Sequence, residues 1–225
     1  MHPPSDCSLC PLATQGRTYP VEGSGPQKAR VMLVGEAPGA TEDRTGIPFM
    51  GAAGKYLDQL LLGAGLDRSS VWITNVVKCR PPLNRDPEEG EIDTCTAHYL
   101  QVEVETIDPQ VIVAIGRFAS AYFLPGTTFS EEHGKPRKVG ERVVLPVYHP
   151  ASALHNGAVR HIVEADFGAI PAALALSSSR PIVIVDGIAP PDGLIALDTE
   201  ANIKDGKLVA VSTSKDGEIS YVQKS

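Results

Sequence analysis

Short apolar segments alternate along the chain with amphipathic segments, which is the pattern of an α/β protein. The apolar runs predict strands at 30–34, 71–77, 110–116 and 142–150. The segments between them predict helices at 51–63, from Pro87 to about Thr106, at 117–124 and at 158–175. This order favours a parallel sheet covered on both faces. We therefore predict a three-layer α/β/α fold with a central four-stranded parallel sheet.

Three polar side chains stand at or just beyond the ends of the predicted strands. Glu36 follows the first strand, Asn75 lies near the end of the second, and His149 follows the fourth. Binding sites of parallel α/β sheets form at the carboxyl ends of the strands. We expect these three side chains to converge on one site.

The pattern changes after Leu176. A serine-rich stretch has the composition of a linker, and the short apolar runs that follow are separated by DG turns. About 45 residues are too few to bury a core of their own. We predict a domain at 1–175, a linker at 176–193 and a short β-rich appendage at 194–225.

Composition narrows the class of protein. An apolar fraction of 42% and a charged fraction of 21% are typical of a soluble globular protein. Neither a signal peptide nor an apolar run of membrane-spanning length is visible, so a cytoplasmic location is expected. The net charge of -7 argues against a general nucleic-acid coat protein, although the basic run 135–142 is equally consistent with a DNA-facing surface and a solvated loop.

The four cysteines have the spacing C-x2-C-x68-C-x15-C. A disulfide framework is not expected in a cytoplasmic chain of this size. Four unrelated buried thiols would suit Cys95 in its helix, but Cys7 and Cys10 lie in a proline-flanked segment with little core to join. Shared ligation of tetrahedral zinc or of an iron–sulfur cluster is favoured, and spacing does not choose between the two.

Several separated motifs together resemble the family-4 uracil-DNA glycosylases. They are 35-GEAPG-39, 46-GIPFMGAAG-54, 74-TNVVKCRPPLNR-85, 110-QVIVAIG-116 and 149-HPA-151, with Cys95 in the helix after the third. The resemblance covers residues 5 to 172. It implies a structural [4Fe–4S] cluster on the four cysteines, and uracil-containing DNA, single- or double-stranded, as the substrate of a monomeric, nucleoid-associated enzyme.

The resemblance assigns catalytic roles to two side chains. His149 matches the residue that donates a hydrogen bond toward uracil O2 and stabilises the departing anion. Glu36 matches the carboxylate beneath the sugar, which positions water or stabilises the cationic sugar; the sequence does not separate these duties. Of the neighbouring carboxylates, Asp43 is expected to support the site and Glu42 to be solvated.

Four residues are expected to bind uracil. Phe49 matches the family's stacking residue. The amide of Asn75 complements uracil N3–H and O4, whereas cytosine presents the opposite pattern. The backbone N–H groups of Ala37 and Gly39 are expected to contact the base, because small residues let the backbone approach closely.

DNA contacts are predicted mainly in 151-ASALHNGAVR-160, where the family has its base-displacing loop. Leu154 is the expected wedge. Ile47 stands where many relatives have a basic residue, which puts one phosphate contact in doubt. The remaining phosphate-contact candidates are His155, Arg160, Arg85 and Lys138.

The segment 194-LIALDTE-200 resembles the first motif of DnaQ-like 3'-5' exonucleases of family-A DNA polymerases. Asp198 and Glu200 would be paired carboxylates for two-metal cleavage, but the remaining carboxylates of that site have no room here. Our hypothesis is that the chain is the front of a glycosylase–exonuclease–polymerase fusion. The alternative is a small β appendage on the glycosylase.

Two other functions are alternatives to excision of uracil. A relative that traps the abasic sugar covalently would carry a Lys/Arg-rich insertion ending in His, whereas this chain has 78-KCRPPLNRDPEEG-90. A non-catalytic DNA-binding accessory module would not need Glu36, Phe49, Asn75 and His149 together. Both alternatives therefore rank below a hydrolytic glycosylase.

Overall fold

A computed structural model describes residues 7–15, 17–178, 212–213 and 220–221. The chain divides into two units, Met1–Ser178 and Ser179–Ser225. In the second unit the described residues form a short antiparallel pair, Ser212–Thr213 with Ser220–Tyr221. None of the helices in the described residues is both long and apolar enough to cross a membrane.

Within residues 17–178, five strands form one sheet in the order β2-β1-β3-β5-β4. The strands are β1 (Val31–Gly35), β2 (Trp72–Asn75), β3 (Val111–Ile115), β4 (Arg137–Val139) and β5 (Arg142–Val147). The first three and β5 are parallel, which confirms the predicted four-stranded parallel core. The prediction omitted β4, which lies antiparallel at the edge and consists of three exposed residues. Its basic composition carries no burial signal, so periodicity does not reveal it.

Helices cover the sheet between its strands. Their bounds are α1 (Ala40–Thr45), α2 (Ala52–Gly63), α3 (Glu89–Cys95), α4 (Gln101–Ile107), α5 (Gly116–Phe123), α6 (Phe129–Glu132), α7 (Pro150–His155), α8 (Arg160–Gly168) and α9 (Ile170–Ser178). Single turns of 3-10 type lie at Pro11–Ala13, Arg68–Ser70, Pro82–Asn84 and Gly157–Val159, and a π turn, Thr96–Leu100, joins α3 to α4.

Alternating residues of the parallel strands fill two separate apolar cores. On β1, Val31 and Leu33 face the core packed by α2, α7, α8 and α9. Met32 and Val34 face the opposite core, which α4, α5 and the cysteines complete. Because each strand is buried on both faces, the apolar runs are continuous and not alternating. The predicted three-layer fold is confirmed.

The region predicted as one closing helix at 158–175 contains two helices. The break lies between α8 and α9, at Ala169. Pro171 stands at the second position of α9, where its missing N–H costs nothing, but it cannot continue the hydrogen bonding of α8. The predicted loop after His149 is also helical, because Pro150 begins α7 with His149 as its N-cap.

The sheet order brings the predicted site residues to one edge. The chain passes from β1 to β2 on one side and later to β3 on the other, so a topological switch point lies beside β1. Gly35 is the register partner of Asn75. Glu36 thus emerges beside Asn75 at the carboxyl ends of the strands, where crevices of such sheets bind ligands.

A buried ion pair fixes the end of β2. Lys78 Nζ donates to Glu103 Oε2 at 2.6 Å and to the Asn75 carbonyl at 2.9 Å, and both side chains are at most 2% exposed. The Thr74 hydroxyl donates to the same Glu103 oxygen at 2.7 Å. The other carboxylate oxygen accepts the Gly23 N–H at 3.2 Å. Both charges are thus compensated by hydrogen bonds as well as by each other.

Removing one member of this pair is expected to be costly. Lys78→Met leaves Glu103 as an uncompensated buried charge, and we expect the free energy of unfolding to fall by about 3–5 kcal/mol. The measurement is urea unfolding followed by circular dichroism.

The matched control is the double variant Lys78→Met, Glu103→Leu. It removes both charges and is expected to recover roughly half of that loss or more, because no buried charge is left alone. Equal losses in the single and double variants would show that charge burial is not what holds the end of β2.

Candidate active site

A pocket of about 310 Å³ opens at the carboxyl ends of β1, β2 and β5. This volume lies at the lower end of the range of small-molecule sites, about 300–1,000 Å³. The six residues predicted for catalysis and base binding all line it. Its lining residues are Glu36, Ala37, Pro38, Gly39, Glu42, Phe49, Ala53, Asn75, Pro81, Asn84, Arg85, His149 and Ala151.

Phe49 forms a wall of the pocket in a constrained backbone conformation. Its φ is 56°, in the left-handed region that side chains other than glycine rarely occupy. Two glycines make room for it. A Cβ on Gly54 would lie 1.7 Å from the Phe49 carbonyl oxygen, and a Cβ on Gly35 would lie 2.7 Å from the Phe49 ring. A side chain at Gly54 would displace the Phe49 backbone, and one at Gly35 would displace its ring.

Asn75 presents a buried amide with an unused acceptor. The residue is 2% exposed, and its Oδ1 accepts no hydrogen bond from any described residue. A Cβ on Gly35 would lie 2.4 Å from this oxygen, so Gly35 gives it the space it occupies. An unsatisfied buried acceptor is costly, and a ligand N–H that reaches it removes the penalty.

His149 is held as a neutral hydrogen-bond donor. Its Nδ1 accepts the Ala151 N–H at 3.1 Å, as the N-cap of α7. In a neutral imidazole the proton then resides on Nε2, which is left to donate to a ligand. Burial lowers the pKa of His149 to about 4, and Glu42 opposes this only in part. The ring stacks beside Phe49, with centroids 5.8 Å apart and planes 26° apart.

Glu36 is a half-buried carboxyl group directly after β1. Burial raises its pKa above the usual 4.5, the nearby Asp86 carboxylate raises it further, and Arg117 opposes both. Its backbone is fixed, because its carbonyl accepts the Val77 N–H at 3.1 Å. A carboxylate of raised basicity beside a ligand pocket is suited to accepting a proton from water or to facing a cationic centre.

Glu42 organises the pocket, which corrects the expectation that it is solvated. Its carboxylate accepts the N–H of Gly39 at 3.1 Å, of Met50 at 2.8 Å and of Gly51 at 2.7 Å. It therefore joins the GEAPG turn to the segment that carries Phe49. The sequence did contain a signal, because a glutamate three residues after a helix N-cap is the pattern of a capping box.

Three other predicted residues belong to the GEAPG turn or to α1. The Gly39 N–H, which we expected to face uracil, already donates to Glu42. Buried Asp43 accepts the N–H and the hydroxyl of Thr18, each at 2.8 Å, and so anchors the N-terminal segment against α1. Ala37 lines the pocket, and the contact of its N–H with uracil stays a prediction.

The predicted DNA-contact residues are not equally available. Arg85 lines the pocket, but its guanidinium donates to the buried Glu91 carboxylate at 2.9 and 2.7 Å and to Gln15 at 3.0 Å. Lys138 is exposed on β4.

The other three candidates lie at the helical turn after His149. Leu154 is 44% exposed near the end of α7, and His155 is exposed beside it. Arg160, at the start of α8, is exposed and stacks over the Tyr56 ring at 5.2 Å. An apolar tip followed by cationic or ionisable side chains is compatible with a surface that meets DNA.

The four cysteines belong to one apolar cluster. Cys79 and Cys95 are buried in it, and Cys7 and Cys10 pack against it half-buried. Three of the thiols accept hydrogen bonds: Cys79 from Arg17 at 3.0 Å, Cys95 from the Lys78 N–H at 3.2 Å, and Cys7 from the Tyr99 hydroxyl at 3.2 Å.

Burial raises the pKa of the thiols of Cys79 and Cys95, the latter to about 12, although Arg17 and Lys78 act in the opposite direction. Thiolates at these positions therefore need further positive charge. Across the described parts of the chain, no group of three or more His, Cys, Asp or Glu side chains is arranged so that it could hold a metal ion. The predicted exonuclease carboxylates, Asp198 and Glu200, lie outside the described residues.

Comparison with known proteins identifies the family of this chain. The model of the uracil DNA glycosylase superfamily matches residues 22–165. The type-4 uracil-DNA glycosylase of Sulfurisphaera tokodaii is 48% identical over 171 residues, which are 72% of this chain and 77% of that protein.

Two further type-4 uracil-DNA glycosylases are similar over comparable lengths. That of Saccharolobus solfataricus is 43% identical over 79% of this chain and 85% of its own length. That of Archaeoglobus fulgidus is 45% identical over 72% of this chain and 84% of its own length. The chain therefore belongs to the uracil DNA glycosylase superfamily.

Proposed function

We propose that this protein is a uracil-DNA glycosylase. It draws uracil out of DNA and hydrolyses the N-glycosidic bond, leaving an abasic site for base excision repair. The observation that carries the proposal is the meeting of Phe49, Asn75, His149 and Glu36 in one pocket. The names of its relatives, type-4 uracil-DNA glycosylases, support the same activity.

Base recognition rests on Phe49 and Asn75. The extruded base stacks on the Phe49 ring, which offsets part of the few kcal/mol, roughly, that unpairing and unstacking cost. Uracil N3–H donates to the otherwise unsatisfied Oδ1 of Asn75, and the amide N–H donates to O4. Cytosine has an acceptor at N3 and a donor at N4, so it would leave the buried amide unsatisfied.

Bond cleavage places negative charge on the departing uracil and positive charge on the sugar. His149 donates its Nε2 proton in a hydrogen bond to uracil O2, and its low pKa keeps it a neutral donor. Glu36 faces the cationic side and either orients the attacking water or stabilises the cation.

We propose a [4Fe–4S] cluster on the four cysteines as the cofactor. The cysteines share one apolar cluster, and binding would have to bring their thiols together, because no three of them are arranged to hold a metal in the described residues. A [4Fe–4S] cluster takes one thiolate on each iron, and its charge would supply the cationic counterpart that Cys79 and Cys95 need. Arg17 and the Lys78 N–H donate hydrogen bonds to the sulfurs of Cys79 and Cys95. Hydrogen bonds of this kind orient the ligands of metal sites. When bound, the cluster joins the N-terminal segment to α3 and the segment after β2.

Several predictions on organisation stay open. The limits 1–175, 176–193 and 194–225, the monomeric state, the cytoplasmic location and the fusion with exonuclease and polymerase domains remain predictions. Neither the covalent abasic-site trap nor the non-catalytic module is supported by the relatives that the chain matches.

The activity is tested with uracil-containing single- and double-stranded oligonucleotides, cleaved by alkali after incubation. Glu36→Gln is expected to lower the excision rate by about 10²–10⁴. His149→Asn keeps an N-cap acceptor for the Ala151 N–H, but its shorter side chain has no N–H at the position of Nε2, and a loss of about 10²–10³ is expected. The exposed Glu141→Gln is the matched control and should leave the rate unchanged. No strand scission by the wild type above a Glu36→Ala, His149→Ala background would defeat the proposal.

The pH dependence separates the two catalytic groups. If the Glu36 carboxylate is the required form, kcat/KM falls as the pH drops through its raised pKa, so the acid limb lies above 4.5. The pKa of His149 is lowered to about 4, so it should give no inflection near 6.5, the ordinary pKa of histidine. The limb should vanish in Glu36→Gln. An acid limb that remains in Glu36→Gln would belong to another ionisable group.

The cofactor is tested without reference to activity. Protein purified without oxygen is expected to be brown and to contain iron and acid-labile sulfide, whereas Cys95→Ser should lose both and unfold at lower temperature. Colourless wild-type protein that carries zinc instead would contradict the cluster.

A further inference from the structure

Leu83 is the most exposed large apolar side chain in the described part of the chain, at 96%. Its φ is 54°, and the φ of Asn84 is also 54°. Asparagine tolerates this left-handed conformation, but leucine does so at a cost. Leu83 is therefore unfavourable in two respects, its contact with water and its backbone conformation.

The segment around Leu83 is held rigidly. Arg80 Nε donates to Asn84 Oδ1 at 2.8 Å, and the Asn84 and Arg85 N–H groups each donate at 3.1 Å to the carbonyl of a proline three positions before. The Arg85 guanidinium is fixed by the buried Glu91 carboxylate. The outward position of Leu83 is thus built into the turn and is not a product of a loose loop.

This turn borders the pocket. Pro81, Asn84 and Arg85 line it, so Leu83 projects from the rim between two lining residues. A base that enters the pocket leaves a gap in the duplex, and the rim faces the base pairs on either side of that gap. Arg80 stands beside the turn and hydrogen-bonds the neutral Asn84 side chain, so its positive charge suits a DNA strand, whereas Arg85 is paired with Glu91.

We propose that Leu83 inserts into the base stack of duplex DNA next to the extruded nucleotide, as an apolar wedge on a different segment from Leu154. The inference rests on the proposed excision of uracil from DNA. Binding would remove Leu83 from water. The free energy gained would offset the cost of its exposure and of its left-handed backbone in the free protein.

The experiment compares single-turnover excision from duplex and single-stranded oligonucleotides of the same sequence. Leu83→Asn keeps the left-handed backbone accessible and the side chain similar in size, but makes it polar. We expect the single-turnover rate on the duplex at subsaturating enzyme to fall about 10- to 100-fold, the loss of one buried leucine contact, with less than about threefold change on the single strand. Leu83→Met keeps an apolar side chain and should retain most of the duplex activity of the wild type.

Leu62→Asn is the matched control, because Leu62 is a 66% exposed leucine on α2 that does not line the pocket. It should leave both rates unchanged. A Leu83→Asn rate on duplex within about twofold of wild type, or an equal loss on both substrates, would overturn the insertion.

A second readout does not depend on excision. A 2-aminopurine placed beside an abasic-site analogue in a duplex should brighten when wild-type protein binds, and less when Leu83→Asn binds at saturation. Equal brightening would also overturn the proposal. Failure of the wild type to release uracil from either substrate would instead refute the proposed function, while this fluorescence still tests insertion.

Discussion

The buried ion pair between Lys78 and Glu103 is the interaction on which both functional regions depend. Lys78 Nζ fixes the carbonyl of Asn75, and the backbone N–H of the same lysine donates to the Cys95 sulfur. One residue therefore connects the base-binding end of β2 with the cysteine cluster. Two charges in an apolar layer are tolerated only because Thr74 and Gly23 complete their hydrogen bonding. A displacement of Cys95 would thus reach the pocket through a single peptide segment.

The pocket is determined by close packing as much as by charge. Gly35 leaves room for both the Asn75 oxygen and the Phe49 ring, and Gly54 leaves room for the Phe49 carbonyl. Glu42 then fixes the segment between them by accepting three backbone N–H groups. These contacts hold the aromatic wall and the amide before a ligand arrives. A preformed site of this kind loses little free energy to ordering on binding.

The sequence predicted the layers of the fold and the convergence of Glu36, Asn75 and His149 on one pocket, because continuous apolar runs and polar strand ends are local signals. It missed β4, whose pairing depends on β5 and not on its own composition. It also missed the partners of Lys78 and Arg85. Glu103 and Glu91 lie 25 and 6 residues away on helices, and only the packed fold brings them to those cations. Leu83 was missed because neither the exposure of a single side chain nor a left-handed backbone produces a periodic pattern in the sequence.

Charge alone cannot explain how an acidic protein of net charge -7 would recognise DNA. Several of its arginines already pair with carboxylates: Arg85 with Glu91, Arg117 with Asp86, Arg137 with Glu132 and Arg142 with Asp108. Each such arginine would lose part of its internal pairing if it turned to a phosphate. Recognition must then depend more on what DNA presents at the pocket: a base that stacks on Phe49, satisfies Asn75 and accepts from His149. Discrimination against cytosine and affinity for DNA would come partly from the same contacts, because cytosine does not complement the Asn75 amide. Thymine presents the same O2, N3–H and O4 groups as uracil, so these three contacts alone do not distinguish it.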